Sequence, residues 1–257
     1  MNDLPDLPFD VWLDPTRDTK AEPQFTVLCA DDDFREEALH AAANALRSHY
    51  IATERLEGIL ERLGKSAAAE AVKQKVPQKL TARSGDFGEI VASHYINQET
   101  EYDMGIARLR WSDHPEMAMR GEDMLAFHET GDHLFFLKGE SKSRAKLNTK
   151  TVTEARDGLN RNDGLPSPHA LTFVADRLYE TGNSDLANKI DDVNLTNGIR
   201  PDDVCHMLFT LSGNDPTSFL EADLDTYEGA NEQMSIGVRI LDHGAFIKDV
   251  FEYDIDG

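Results

Sequence analysis

The sequence predicts an α/β fold: a mixed sheet flanked by helices, with an N-terminal helical extension. Three observations carry this expectation. Short apolar runs such as Asp123–Glu129, His133–Glu140 and Val204–Leu211 have the length and composition of strands. Elsewhere apolar residues recur three and four apart, the spacing of an amphipathic helix. The two patterns come in the order helix, three strands, helix, strand, which suits a sheet buried between helical layers.

Residues 1–24 are rich in Pro and Asp and read as irregular; Phe25-Thr26-Val27-Leu28-Cys29 reads as a short strand. Asp31-Asp32-Asp33 supplies N-caps, with Glu36 three residues after Asp33 as in a capping box. Leu39, Ala42, Leu46, His49, Thr53, Leu56, Leu60 and Leu63 then predict an amphipathic helix or helix pair ending near Gly64. Its stripe suits packing on the protein's own sheet or docking of a partner. Lys65–Arg83 is polar, basic and broken by Pro77, and reads as a linker. A second helix is expected from Asp86 to Asn97. Strands follow at Met104–Trp111, Asp123–Glu129 and His133–Glu140, the last two joined by a tight turn at Thr130-Gly131-Asp132. Helices are expected at Asn148–Leu159 and His169–Tyr179, then a strand at Val204–Leu211 and a hairpin within Met234–Tyr253. The chain thus divides into an extension over residues 1–80 and a core over 81–257, packed as one unit.

No apolar stretch approaches the roughly 20 residues of a membrane helix. The acidic, proline-broken start does not resemble a signal peptide, so a cytoplasmic protein is expected. Cys29 and Cys205 match no zinc or redox spacing and read as buried free thiols. The net charge of −22 opposes binding to polyanions, but its distribution is uneven. Met1–Glu37 holds eleven acids and three bases, and Asn214–Gly257 eleven acids and two bases. Between Phe135 and Lys150 the sign reverses: Lys138, Lys142, Arg144, Lys146 and Lys150 face one acid, Glu140.

That basic strip contains the most informative feature of the chain. The apolar run Leu134-Phe135-Phe136-Leu137 leads into Lys138-Gly139-Glu140-Ser141-Lys142. Residues two apart on a strand share a face, so Glu140 and Lys142 project side by side. Asp123, one hairpin upstream, is placed to join them. Two carboxylates and an ammonium so arranged would hold Mg²⁺ against a phosphodiester and organise a hydrolytic water. A strand-end ion pair is the simpler alternative for Glu140 and Lys142, and turn capping is that for Asp123. Glu122 points to the opposite face. For Glu89, in Gly85-Asp86-Phe87-Gly88-Glu89, two readings stand: a helix-dipole acid, or a site carboxylate whose burial requires a cation.

Other patterns fail on context. Asp18-Thr19-Lys20 repeats the acid–lysine spacing but has no preceding strand to hold it rigid. Gly64-Lys65-Ser66 mimics the end of a P-loop, yet Ile59 stands where the earlier glycine is required. No Gly-x-Ser-x-Gly nucleophile elbow occurs, and the nine histidines form no metal pair on a helix. His128 and His133 are expected at the surface, His206 in the core.

Together, Glu89 on a helix, Asp123 on a strand, and Glu140-Ser141-Lys142 resemble the PD-(D/E)xK nuclease superfamily and its restriction-endonuclease-like fold. The wider runs Ser84-Gly85-Asp86-Phe87-Gly88-Glu89, Arg120-Gly121-Glu122-Asp123 and Lys138–Lys142 resemble the HamA family, nuclease subunits of the Hachiman anti-phage defence system. The resemblance spans about Phe25 to Thr210. It departs from the superfamily pattern in that Gly121 and Glu122, not a proline, precede Asp123. It implies a Mg²⁺-dependent DNA endonuclease, with Mn²⁺ a possible substitute, acting beside a HamB-like helicase subunit. It also implies metal ligation by Glu89, Asp123 and Glu140, with Lys142 as a catalytic residue. Two alternatives remain: a stand-alone restriction or repair nuclease, and a non-enzymatic acidic DNA mimic or regulatory subunit. The DNA mimic explains the net charge but not the basic strip.

Overall fold

Six strands form one mixed sheet in a computed structural model that describes residues 4–17, 24–117, 119 and 121–253. Asp18-Thr19-Lys20 and Arg120 lie outside the described residues. The strands are β1 (Leu13–Arg17), β2 (Gln24–Ala30), β3 (Met124–Thr130), β4 (His133–Arg144), β5 (Val204–Ser212) and β6 (Glu232–Arg239). Their spatial order is β1-β2-β6-β5-β4-β3. The inner pairs β2–β6, β6–β5 and β5–β4 are parallel, whereas β1–β2 and β3–β4 are antiparallel. Strands inside a parallel sheet are covered on both faces and read as continuous apolar runs. β5 shows this, with every residue from Val204 to Ser212 buried. The first 80 residues contribute β1 and β2 to the same sheet as the rest of the chain.

The helices are α1 (Phe9–Trp12), α2 (Arg35–Tyr50), α3 (Thr53–Leu63), α4 (Lys65–Lys73), α5 (Leu80–Glu99), α6 (Thr149–Asn160), α7 (Pro168–Glu180), α8 (Ser184–Asp192), α9 (Thr217–Asp225) and α10 (His243–Glu252). One sheet face packs against α2, α5 and α10 through Leu39, Leu46, Phe87, Val91, Phe246 and Val250. The opposite face carries α7 and α8 over Leu125, Phe127 and Phe136, and α6 and α9 over Val27 and Leu208. Trp12 is sealed beneath α10, its ring stacked 5.2 Å from that of Phe246.

Strands β2 to β5 and helices α2, α6 and α7 appear where the sequence places them, and the Leu39–Leu63 stripe is a helix pair. Side-chain caps explain two of the starts: Asn148 accepts from Thr151 N, and Ser167 from Ala170 N with Pro168 at the first turn. The Asp33–Glu36 capping box does not form. Asp31 caps a 3₁₀ turn instead, and α2 begins after Phe34.

Four expectations are corrected. Residues 1–24 are not irregular throughout: Phe9–Trp12 is helix α1 and Leu13–Arg17 is strand β1, paired with β2. Lys65–Arg83 is not a linker: its alanines form α4, and α5 starts at Leu80 rather than Asp86, so Pro77 separates two helices. Met104–Trp111 is not a strand. Gly105 turns with φ +67°, its N–H taken by Asp103, and a 3₁₀ turn spans Arg108–Trp111. Met234–Tyr253 is not a hairpin but β6 followed by α10, whose Phe246, Ile247 and Val250 follow the helical period. The stripe of α2 is buried, as expected for packing on its own sheet, whereas α3 buries no residue and leaves Leu60 and Leu63 exposed.

Candidate active site

β4 delivers Glu140 and Lys142 near its C-terminal end, and the sheet decides what each side chain meets. Phe136, Lys138, Glu140 and Lys142 alternate with Leu137, Gly139, Ser141 and Ser143, so the two sets face opposite ways. Glu140 points toward α6: a Cβ placed on Gly158 would lie 2.5 Å from its Cδ. Ser141 and Ser143 point toward α5, where a Cβ on Gly88 would fall 2.9 Å from Ser141 Oγ and Ser84 bonds Ser143 at 2.9 Å. Glycine at 88 therefore lets α5 lie this close to β4, and glycine at 158 leaves the Glu140 carboxylate its place against α6.

Asp123 immediately precedes β3, where Met124 pairs with Gly139. Continuing that register sets Asp123 across from Glu140. Its Oδ2 accepts from Ser141 N at 3.1 Å. Lys142 Nζ donates to Glu140 Oε2 at 2.9 Å and lies 3.8 Å from Asp123 Oδ2, bridging both carboxylates. Three of the four residues singled out in the sequence thus meet.

Glu89 does not touch them. It sits mid-way along α5, not in a first turn, so the helix-dipole reading falls. The cation that meets it is Arg108. Arg108 Nη1 donates to Glu89 Oε2 at 3.1 Å and to the Asp123 carbonyl at 3.0 Å, while Nη2 donates to the Met119 carbonyl at 3.0 Å. Sequence reasoning missed Arg108, although a buried carboxylate on α5 demanded such a partner. Glu122 is not on the opposite face as expected: it precedes β3 and its carboxylate receives Ser167 N and Oγ at the start of α7, on the sheet face toward which Glu140 points.

Burial raises the Glu89 carboxyl to about 8; Arg108 opposes this, while the charges of Asp123, Asp86 and Glu140 add to it. Glu140 is raised as well, by burial and then by Asp123, against the pull of Lys142. Asp86 rises to about 6 through burial, opposed by the Tyr50 hydroxyl that donates to it. A raised carboxylate keeps its proton in the folded chain after the unfolded chain has lost it. Between the ordinary glutamate value and about 8 the unfolded state therefore binds fewer protons, and stability falls as pH rises. Melting temperature measured in chelator from pH 5 to pH 9 should decline in wild type and flatten in Glu89→Gln. Parallel profiles would show that Glu89 does not carry the effect.

The donor set suits a hard cation. Burial, and after it the charge of neighbouring carboxylates, makes Glu89 and Glu140 resist ionising, which a divalent ion would relieve. Among the described residues no group of three His, Cys, Asp or Glu is arranged to hold a metal. Magnesium, however, is often held by one or two carboxylates with water completing its shell. Asp123 and Glu140 meet that requirement, with Lys142 and Arg108 supplying the counter-charge.

The basic strip is not one surface. Lys138 is buried, its Nζ donating to the carbonyls of Arg161 and Leu165 at 2.7 and 3.0 Å, and desolvation lowers its pKa. Arg144, Lys146 and Lys150 are exposed beyond the site. His206 is a core histidine bonded to the Gly164 carbonyl at 2.7 Å, and His133 is exposed. His128 is half-buried rather than solvent-facing, as its ring reaches the Glu101 carbonyl. Both cysteines are free; Cys205 is buried and Cys29 only half-buried. No helix among the described residues is long and apolar enough to cross a membrane.

A sequence model of the HamA family matches residues 8–253. Hachiman protein HamA of Bacillus cereus is 28% identical over 232 residues, covering 88% of this chain and 82% of that protein. The matched span takes in the whole described sheet, and the chain belongs to the HamA family.

Proposed function

We propose that the chain is a metal-dependent DNA endonuclease, the effector subunit of a Hachiman anti-phage defence complex that works beside a HamB-like helicase. The observation that carries this reading is the bridge made by Lys142 between Glu140 and Asp123 at the end of β4. Asp123 and Glu140 would hold Mg²⁺ or Mn²⁺, which would supply Lewis-acid stabilisation of the scissile phosphate. Lys142 orients the attacking water and stabilises charge growing on the phosphoryl oxygens. Arg108 keeps Glu89 and the Asp123 backbone in place, and Glu89 would hold a second metal ion. Family membership, and the name of the Bacillus cereus relative, support the place in anti-phage defence.

Charge supports the helicase. A chain of net charge −22 repels DNA, and its exposed cations Arg144, Lys146 and Lys150 form a small landing strip. A partner with a basic channel brings DNA to this strip and also fits the acidic exterior. Purified chain should therefore degrade DNA slowly alone and much faster with the helicase subunit and ATP, and association of the two should weaken steeply with salt. Full-rate cleavage by the chain alone contradicts the partnership; no cleavage under any of these conditions contradicts the nuclease.

A further inference from the structure

A cavity of about 480 Å³ opens between the 3₁₀ turn of Arg108–Trp111 and α7, its lining reaching Gly121 and Glu122 just before Asp123. Its volume lies within the roughly 300–1,000 Å³ of small-molecule sites. Arg108 belongs to both places: its guanidinium lines the cavity while holding Glu89 and the Asp123 carbonyl. The opposite wall is also tied to the site. Phe173 and Arg177 lie four apart on one face of α7, and α7 is fixed at its start by Glu122, the residue before Asp123. The Arg177 guanidinium lies 5.2 Å from the Phe173 ring centroid and 5.9 Å from that of Trp111. Its Nη1 is engaged by Glu180, whereas its Nε is buried and has no partner. The cavity is thus lined by the Trp111 and Phe173 rings, with the Arg177 guanidinium over both, by the Arg108 guanidinium and by His114.

We propose that this cavity takes one unstacked nucleobase of a single DNA strand, next to the phosphodiester held at Lys142. This rests on the nuclease reading and adds the form of its substrate. Aromatic rings and an arginine plane are the surfaces on which extruded bases stack, and every base offers them a face. The net charge explains why such a pocket is needed: with phosphate attraction weak, stacking supplies grip that charge does not. A base inside a duplex must first be unpaired and unstacked before it can enter, so single strands and frayed ends are the preferred substrate.

The test uses tryptophan fluorescence of the full chain carrying Glu140→Gln to prevent turnover. The chain has two tryptophans, and Trp12 is 1% exposed, so quenching by a ligand reports Trp111. Oligothymidylate should quench; an abasic strand with the same number of phosphates, and a matched duplex, should not. Trp111→Leu should abolish the quench, and Phe173→Leu should weaken strand binding, read by anisotropy, about fivefold or more. Equal binding by the abasic strand, or equal quenching by duplex, overturns the pocket. Should either variant fail to fold, 5-bromodeoxyuridine strands photo-crosslinked to the otherwise unaltered chain decide: attachment at Trp111 or Phe173 supports the proposal, and attachment elsewhere overturns it. Quenching needs no hydrolysis, so the two readings fail separately. Base-dependent binding without cleavage by wild type ends the nuclease alone, and cleavage with base-independent binding ends the pocket alone.

Discussion

Glu140→Ala is expected to lower DNA cleavage by at least on the order of 100-fold while the protein still folds. The side chain is 10% exposed and hydrogen-bonded to Lys142, not packed as part of an apolar cluster, so its loss opens no large core cavity. Lys142→Ala should lose activity on a similar scale through a different route. It removes an ammonium that bridges Glu140 and Asp123, yet leaves both carboxylates in place. Calorimetric titration with Mn²⁺ separates the two: Lys142→Ala retains binding, and Glu140→Ala loses it. Equal metal binding by both variants would remove Glu140 from the ligand set.

Gly158→Ala should be nearly as damaging, although a methyl group is the whole change. The new Cβ would stand 2.5 Å from Glu140 Cδ and 2.6 Å from its Oε1. Helix α6 cannot retreat cheaply, because Val152, Ala155 and Leu159 are packed into the core beneath it. Glu140 must move instead, and a shift of about 1 Å at a catalytic group costs on the order of 100-fold in rate. Gly58→Ala is the control. It sits in α3 with nothing within 4 Å of its added Cβ. That change should leave cleavage unaltered and raise stability by about 0.5–1 kcal/mol. Wild-type turnover by Gly158→Ala would mean that Glu140 can be displaced without consequence.

The parts legible in the sequence are those with a strong local signature. β3 and β4 are short apolar runs joined by a tight turn, and the two-residue spacing of Glu140 and Lys142 is enough to place both side chains on one face. The position of Glu89 among small and apolar helix residues asks for a cation, but that cation is 19 residues away on a 3₁₀ turn, and no periodicity announces it. The same turn mimics a strand because Met104, Ile106 and Leu109 are apolar and buried for tertiary reasons. Lys138 has the sequence context of a cationic surface and is an internal tie to the carbonyls of Arg161 and Leu165, a role only long-range packing creates. Helix α10 passes for the second half of a hairpin because its apolar run is short, where strand and helix signals overlap.

The central claim is metal-dependent phosphodiester hydrolysis at Glu140. It is tested most directly by assembling the chain with its helicase partner and following DNA cleavage in Mg²⁺ and then in excess EDTA, for wild type and Glu140→Gln in parallel. Cleavage by wild type in Mg²⁺ alone, absent in EDTA and absent in Glu140→Gln of unchanged melting temperature, is the expected result. Cleavage that persists in EDTA, or that Glu140→Gln performs at the wild-type rate, would contradict it.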